Sequence, residues 1–145
     1  SVWIEHGVLR QLAHDRFTAK TDGVDPIPTL DAPALSVEGL PVASIQDLVK
    51  NSERAILVTN FWYIRPVNHR NLLLTGMTRD GTFLVEKGEV VSAVKNFRFH
   101  ESPLVVFQQV EAWTRPMEAV NSEIGKMLVP AMVLPRFTFS SMTRF

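Results

Sequence analysis

Cysteine is absent from the 145 residues. Its absence removes disulfides, thiolate metal ligands and a cysteine nucleophile in one step, and it fits a reducing compartment. Net charge is absent too. Fifteen basic residues balance fifteen acidic ones, so no bulk field favours nucleic acid or anionic lipid, and no block of Lys or Arg interrupts the balance. No apolar run reaches the ~18 residues that a membrane span needs. The opening Ser1-Val2-Trp3-Ile4-Glu5-His6-Gly7 lacks both an initiator Met and a signal-peptide pattern, and reads as that of a piece of a longer protein. Hydrophobic residues make up 46% of the chain and charged ones 21%. That is the composition of a globular protein, in one domain's worth of chain, residues 1–145, that can bury a core without staples.

Local patterns predict a mainly β (α+β) fold: an antiparallel meander or barrel-like sheet with two short helices. Val2 to Leu12 reads as a hairpin about His6-Gly7, and Arg10 to Ala19 fits either a continuing strand or a helical turn. From Thr21 to Pro41 prolines at 26, 28, 33 and 41 predict an extended surface loop. Ser44 and Asp47 form a capping box for a helix whose apolar stripe is Ile45, Leu48 and Val49. Ile56 to Ile64 reads as one central strand that ends before Pro66. Leu72 to Met77, Thr82 to Glu86 and Glu89 to Val94 follow as a meander, turned at Asp80-Gly81 and Lys87-Gly88. A helix is expected after Ser102 as N-cap and Pro103 at the first turn. The proline-bearing tail with Phe137 and Phe139 suits an edge strand.

Chemistry-bearing clusters are scarce. His6, His14, His69 and His100 have no ligand spacing such as H-E-x-x-H. The carboxylates available for acid–base work are Asp15, Asp80, Glu86, Glu89 and Glu101; of these Asp80 reads as a turn residue, and Glu86 and Glu89 flank a turn. No serine lies in a G-x-S-x-G context, and Thr75 to Gly81 lacks the spacing of a phosphate loop. Arg65, Arg70, Arg79 and Arg98 fall at strand ends or turns. They form either the solvated rim of a sheet or a row of donors for the carboxylates and carbonyls of a bound chain. Trp62 and Tyr63 point to opposite faces if their segment is extended.

Several phrases in order, "GVLRQLAHDRFTAK", "ILVTNFWYIRP", "TGMTRDGTFLVEKGEV", "VKNFRFHESPL" and "LVPAMVLPRFTFSSMTRF", resemble the C-terminal domain of the TldD/PmbA family over nearly the whole chain. The resemblance implies a cytoplasmic zinc-dependent peptidase, or its non-catalytic partner subunit, of a family first named as modulators of DNA gyrase. It implies a dimer of the parent with itself or with a TldD/PmbA paralogue, and a cleft that holds an unfolded peptide. The family's helical H-E-x-x-x-H motif lies upstream of the region resembled and does not occur here. The family's cysteine ligand has no counterpart either, so no metal or catalytic residue is expected in this chain, and the resemblance leaves zinc as a possible cofactor of the parent. Thr78, Arg79, Asp80 and Arg98 are the expected peptide-binding residues, with strand addition as the mode. The competing expectation is a purely structural dimerisation module. Neither direct nucleic-acid binding nor membrane association is expected.

Overall fold

The computed structural model describes residues 1–27, 32–121 and 125–142. Parts of two expected segments, residues 28–31 of the proline-rich loop and 143–145 of the tail, lie outside the described residues. The chain folds as two compact units, Ser1–Ala34 with Glu118–Leu128, and Leu35–Met117 with Val129–Phe145.

In the first unit, β1 (Ile4–Glu5) and β2 (Val8–Leu9) pair antiparallel. His6 at φ 51° and Gly7 at φ 75° both take the left-handed conformation that a two-residue hairpin turn needs. The ambiguous segment that follows resolves as a helix, α1 (Arg16–Asp22). Asp15 caps its start by accepting the Thr18 N–H at 2.7 Å and the Thr18 hydroxyl at 2.9 Å. Gly23 ends it in the left-handed conformation.

The second unit begins with α2 (Ile45–Lys50). The expected cap is present in altered form: Ser44 accepts the Asp47 N–H at 3.2 Å, while its hydroxyl donates to the Asp47 carboxylate at 2.6 Å. The strands are β3 (Arg54–Val58), β4 (Phe61–Asn68), β5 (Leu73–Thr78), β6 (Thr82–Glu86), β7 (Glu89–Ala93) and β8 (Phe97–Glu101). A single turn, α3 (Pro103–Val106), continues as a 3-10 turn over Phe107–Gln109, and β9 (Ala112–Trp113) follows. Then β10 (Met117–Asn121) and β11 (Gly125–Val129), which belong almost wholly to the first unit, pair with each other. Finally β12 (Met132–Val133) pairs with β9, and β13 (Phe139–Met142) closes the described chain.

The main sheets have the orders β13-β8-β5-β4 and β3-β6-β7, all antiparallel. The fold is mainly β with short helices, and no barrel closes among the described residues. Two expectations need correction. The apolar run from Arg54 to Ile64 is two strands in two sheets, broken at Thr59-Asn60. Likewise β5 and β6 do not pair with each other, so Asp80-Gly81 is not a hairpin turn. Instead β3–β4 and β5–β6 are the two arms of one long hairpin, its tip between Asn68 and Leu73. Both arms bend at the same level and pass from one sheet to the other, a known way to make a sheet corner. The corner is held by the Thr59 N–H donating to Gly81 O and the Arg79 N–H donating to Asn60 O, each at 3.0 Å. Lys87-Gly88, at φ 50° and 80°, is the true two-residue turn and joins β6 to β7.

Proline also falls differently. Strand β4 runs through Pro66 to Asn68, because β4 is an edge strand and the missing N–H costs no ladder bond on its outer side. Strand β8, not anticipated as a strand, lies inside the four-stranded sheet between β5 and β13. The tail strand β13 is an edge, as its composition suggests. The core of this sheet is aromatic: Phe99 packs 5.2 Å from Phe61 and 5.5 Å from Phe137, centroid to centroid, and Phe139 lies 4.9 Å from Phe97. Ser102 does not cap α3 with its side chain; its hydroxyl donates to Asn71 O at 2.7 Å and ties the end of β8 to the hairpin tip.

Candidate functional site

The face of the four-stranded sheet opposite the phenylalanine cluster carries the polar chemistry. Directly opposed residues in adjacent strands share a face. One cross-strand row is Trp62, Met77, Arg98 and Ser141. The next is Arg65, Thr75 and His100. Trp62 and Arg65 would fall on opposite faces of a regular strand, being an odd number of residues apart. A bulge between them brings both to one face. Tyr63, inside the bulge, has φ 55°.

This bulge overturns the expectation that Trp62 and Tyr63 point apart. Their ring centroids are 5.4 Å from one another. The Arg79 guanidinium lies over the Trp62 ring at 4.2 Å and the Arg65 guanidinium over the Tyr63 ring at 4.3 Å. Four side chains thus form a continuous row, Arg79, Trp62, Tyr63 and Arg65, with each cation on a π-face. Arg65 also donates to Ile64 O at 2.7 Å, which fixes its orientation.

The four expected peptide-binding residues occupy different environments. Thr78 is buried, and its hydroxyl is engaged on both sides: it accepts the Phe97 N–H at 3.0 Å and donates to Asn96 Oδ1 at 3.2 Å. Thr82 donates to the same Asn96 oxygen at 3.1 Å, so this is a buried network that fastens the corner. Arg79 is half exposed and its Nε lies 3.3 Å from the Asp80 carboxylate. Asp80 is exposed and accepts from Asn60 Nδ2 at 3.3 Å. Arg98 is half-buried and opposes Met77. The register therefore brings Arg98 to the face over which Arg79 stacks; Thr78 points the other way, and Asp80 holds Arg79 from the corner. Trp62, Tyr63, Met77 and His100 complete the face. The chemistry of the arginines is visible in the sequence, but the bulge that gathers the rings is not.

Elsewhere several titratable groups make contacts within the fold. Glu101 accepts the Thr138 N–H at 2.6 Å. Glu86 lies 3.7 Å from Arg54, both solvated. His14 Nε2 lies 3.3 Å from Asp22, with Nδ1 3.1 Å from Leu12 O. The Thr18 N–H, and after it the Thr18 hydroxyl, holds the Asp15 carboxyl below the usual carboxylate range. Among the described residues no three His, Asp or Glu side chains come together as a metal site would require. The described residues bring no zinc donor set together, and no step through a metal is assigned to them. No helix among the described residues is long and apolar enough to cross a membrane.

A family model described as the PmbA/TldA metallopeptidase C-terminal domain matches residues 1–141. Among solved structures, TldE from Thermococcus kodakarensis superimposes with a TM-score of 0.68 at 19% identity, over 90% of this chain and 31% of that one. A protein from Bacteroides thetaiotaomicron VPI-5482, named as a candidate modulator of DNA gyrase, gives 0.65 at 20% identity, over 96% of this chain and 30% of that one. The chain thus spans less than a third of the length of either structure, and at these identities the likeness shows the fold. No curated protein sequence matches.

Proposed function

The chain belongs to the PmbA/TldA metallopeptidase C-terminal domain family, and on that premise we propose that it is the peptide-holding part of a cytoplasmic metallopeptidase or of its non-catalytic partner subunit. In this reading the chain supplies no catalytic residue. It holds an extended, unfolded peptide; zinc bound elsewhere in the parent protein or in its partner subunit would supply a Lewis acid and an activated water for hydrolysis. The chain's own task is to orient and to hold.

The observation that carries the proposal is the shared face of Arg79 and Arg98. Arg79 is braced by Trp62 and Asp80, which leaves the outer guanidinium nitrogens free to donate. The Arg98 carbonyl accepts from the Ser140 hydroxyl at 3.3 Å, while the Arg98 guanidinium makes no hydrogen bond or ion pair with the described residues and stands one strand away, beside Met77. Donors spaced across neighbouring strands suit the carbonyls and carboxylates of an extended chain. Thr78 contributes indirectly by fixing the corner from which Arg79 projects.

The second reading, an assembly module for a dimer of the parent with itself or with a paralogue, is favoured by apolar side chains left in solvent, such as Val90 and Val91 of edge strand β7. Arg79→Ala and Arg98→Ala in the intact polypeptide separate the two. Weaker binding of an unfolded peptide with the oligomeric state unchanged supports the holding role. A changed oligomeric state with peptide affinity preserved supports assembly. Elemental analysis of the intact polypeptide, alone and with any co-purifying subunit, tests whether it carries zinc itself or accompanies a zinc-bearing partner.

A further inference from the structure

We infer that the arginine–aromatic face selects peptides bearing carboxylate side chains. This inference rests on the peptide-holding proposal above and names the class of peptide. Its ground is a charge asymmetry that the zero net charge conceals. Strands β4, β5, β8 and β13 together contain one carboxylate, Glu101. Glu101 opposes Leu74, which puts it on the other face from Met77 and Thr75, and its carboxylate accepts the Thr138 N–H. The face of Trp62 and Met77 therefore receives Arg65, Arg79, Arg98 and His100 with no acid from its own strands. Asp80, at the corner, meets Arg79 at Nε.

Stacking decides what kind of anion fits. A guanidinium held over a ring by a cation–π contact has fewer orientations open to it, and its N–H donors form one rigid planar fork. That geometry favours two-point contact with a planar carboxylate and lowers the entropy lost on binding. The same stacking argues against single-stranded nucleic acid, which needs open ring faces for its bases. Here Trp62 and Tyr63 each already carry a guanidinium. Side chains of an extended peptide that share a face recur about every 6.5–7 Å, so acidic residues at alternate positions present their carboxylates on one side, towards the face that carries the cations.

The test uses the intact polypeptide and three labelled probes followed by fluorescence anisotropy: an unstructured decapeptide with Glu at alternate positions, the same peptide with Gln in their place, and a single-stranded oligothymidylate of similar length. The Glu peptide is expected to bind roughly tenfold more tightly than the Gln peptide at low salt, with the preference shrinking as salt rises. Arg79→Gln combined with Arg98→Gln should abolish the preference, circular dichroism and melting temperature serving as the check on folding. Since the peptide comparison is made on the unaltered protein, the inference stays testable even if that variant fails to fold. Equal binding of both peptides overturns the inference and leaves the holding role standing. Binding of neither peptide overturns both. Tighter binding of the oligonucleotide overturns the inference in favour of a nucleic-acid surface.

Discussion

Single residues set the corner and the caps. A Cβ on Gly81 would lie 2.5 Å from Thr59 Oγ1, and its φ of 147° is one that L side chains rarely adopt. Gly81→Ala is therefore expected to cost about 2–3 kcal/mol, read as a lowered urea midpoint. Gly76 serves packing, because a Cβ there would lie 2.7 Å from the Phe99 ring. Gly76→Ala should cost about 1–3 kcal/mol by overpacking. Asp15 acts through charge. Its carboxylate is stabilised by the Thr18 N–H and hydroxyl, so its folded pKa lies below the ordinary value. Its contribution is then fully present above that ordinary value and is lost as pH falls through the folded one. Asp15→Ala should accordingly lower stability at pH 7 and lose its effect in strong acid, which parallel melts at the two pH values would show.

Elements differ in how plainly the sequence announces them. His6-Gly7 and Lys87-Gly88 are legible as hairpin turns, and Ser44 as a cap, since local hydrogen bonds and φ preference decide those sites. Ser44→Ala should cost about 1 kcal/mol, measurable by chemical denaturation. The break in the run from Arg54 to Ile64 is not legible. Neither Thr59 nor Asn60 is a strong breaker, and the bend is imposed by the opposite arm at Arg79–Gly81. Strand β8 is hidden because His-Glu-Ser-Pro reads as a helix start, whereas its Phe97 and Phe99 are drawn into the core by long-range ring contacts. The candidate site divides the same way. Its arginines can be picked out by residue type, but Tyr63 at positive φ defeats any rule of strict alternation. Thr78, attractive as a rim residue in sequence, belongs to the buried network that Asn96 completes.

At the scale of the whole molecule, the fully buried apolar side chains are few among the described residues, while Ile4, Leu9, Leu12 and Phe17 in the first unit and Leu40, Val90 and Val91 in the second stand in solvent. Where such side chains are contiguous, the surface usually meets a partner. The 145-residue chain alone should bind a hydrophobic dye such as ANS at neutral pH, and the intact polypeptide should bind less per molecule; equal dye binding would show that these side chains stay uncovered. The bent hairpin has a consequence of another order. Since its two arms cross from one sheet to the other together, pairing in either sheet fixes the reading frame of the other. A residue gained or lost between Val58 and Phe61, or between Thr78 and Thr82, would shift every partner beyond it and exchange buried for exposed faces. Within this hairpin, length can change without loss of register at the tip between Asn68 and Leu73, at the expense of the Ser102–Asn71 bond. Natural variants of this domain should therefore carry their insertions at that tip and none at the corner.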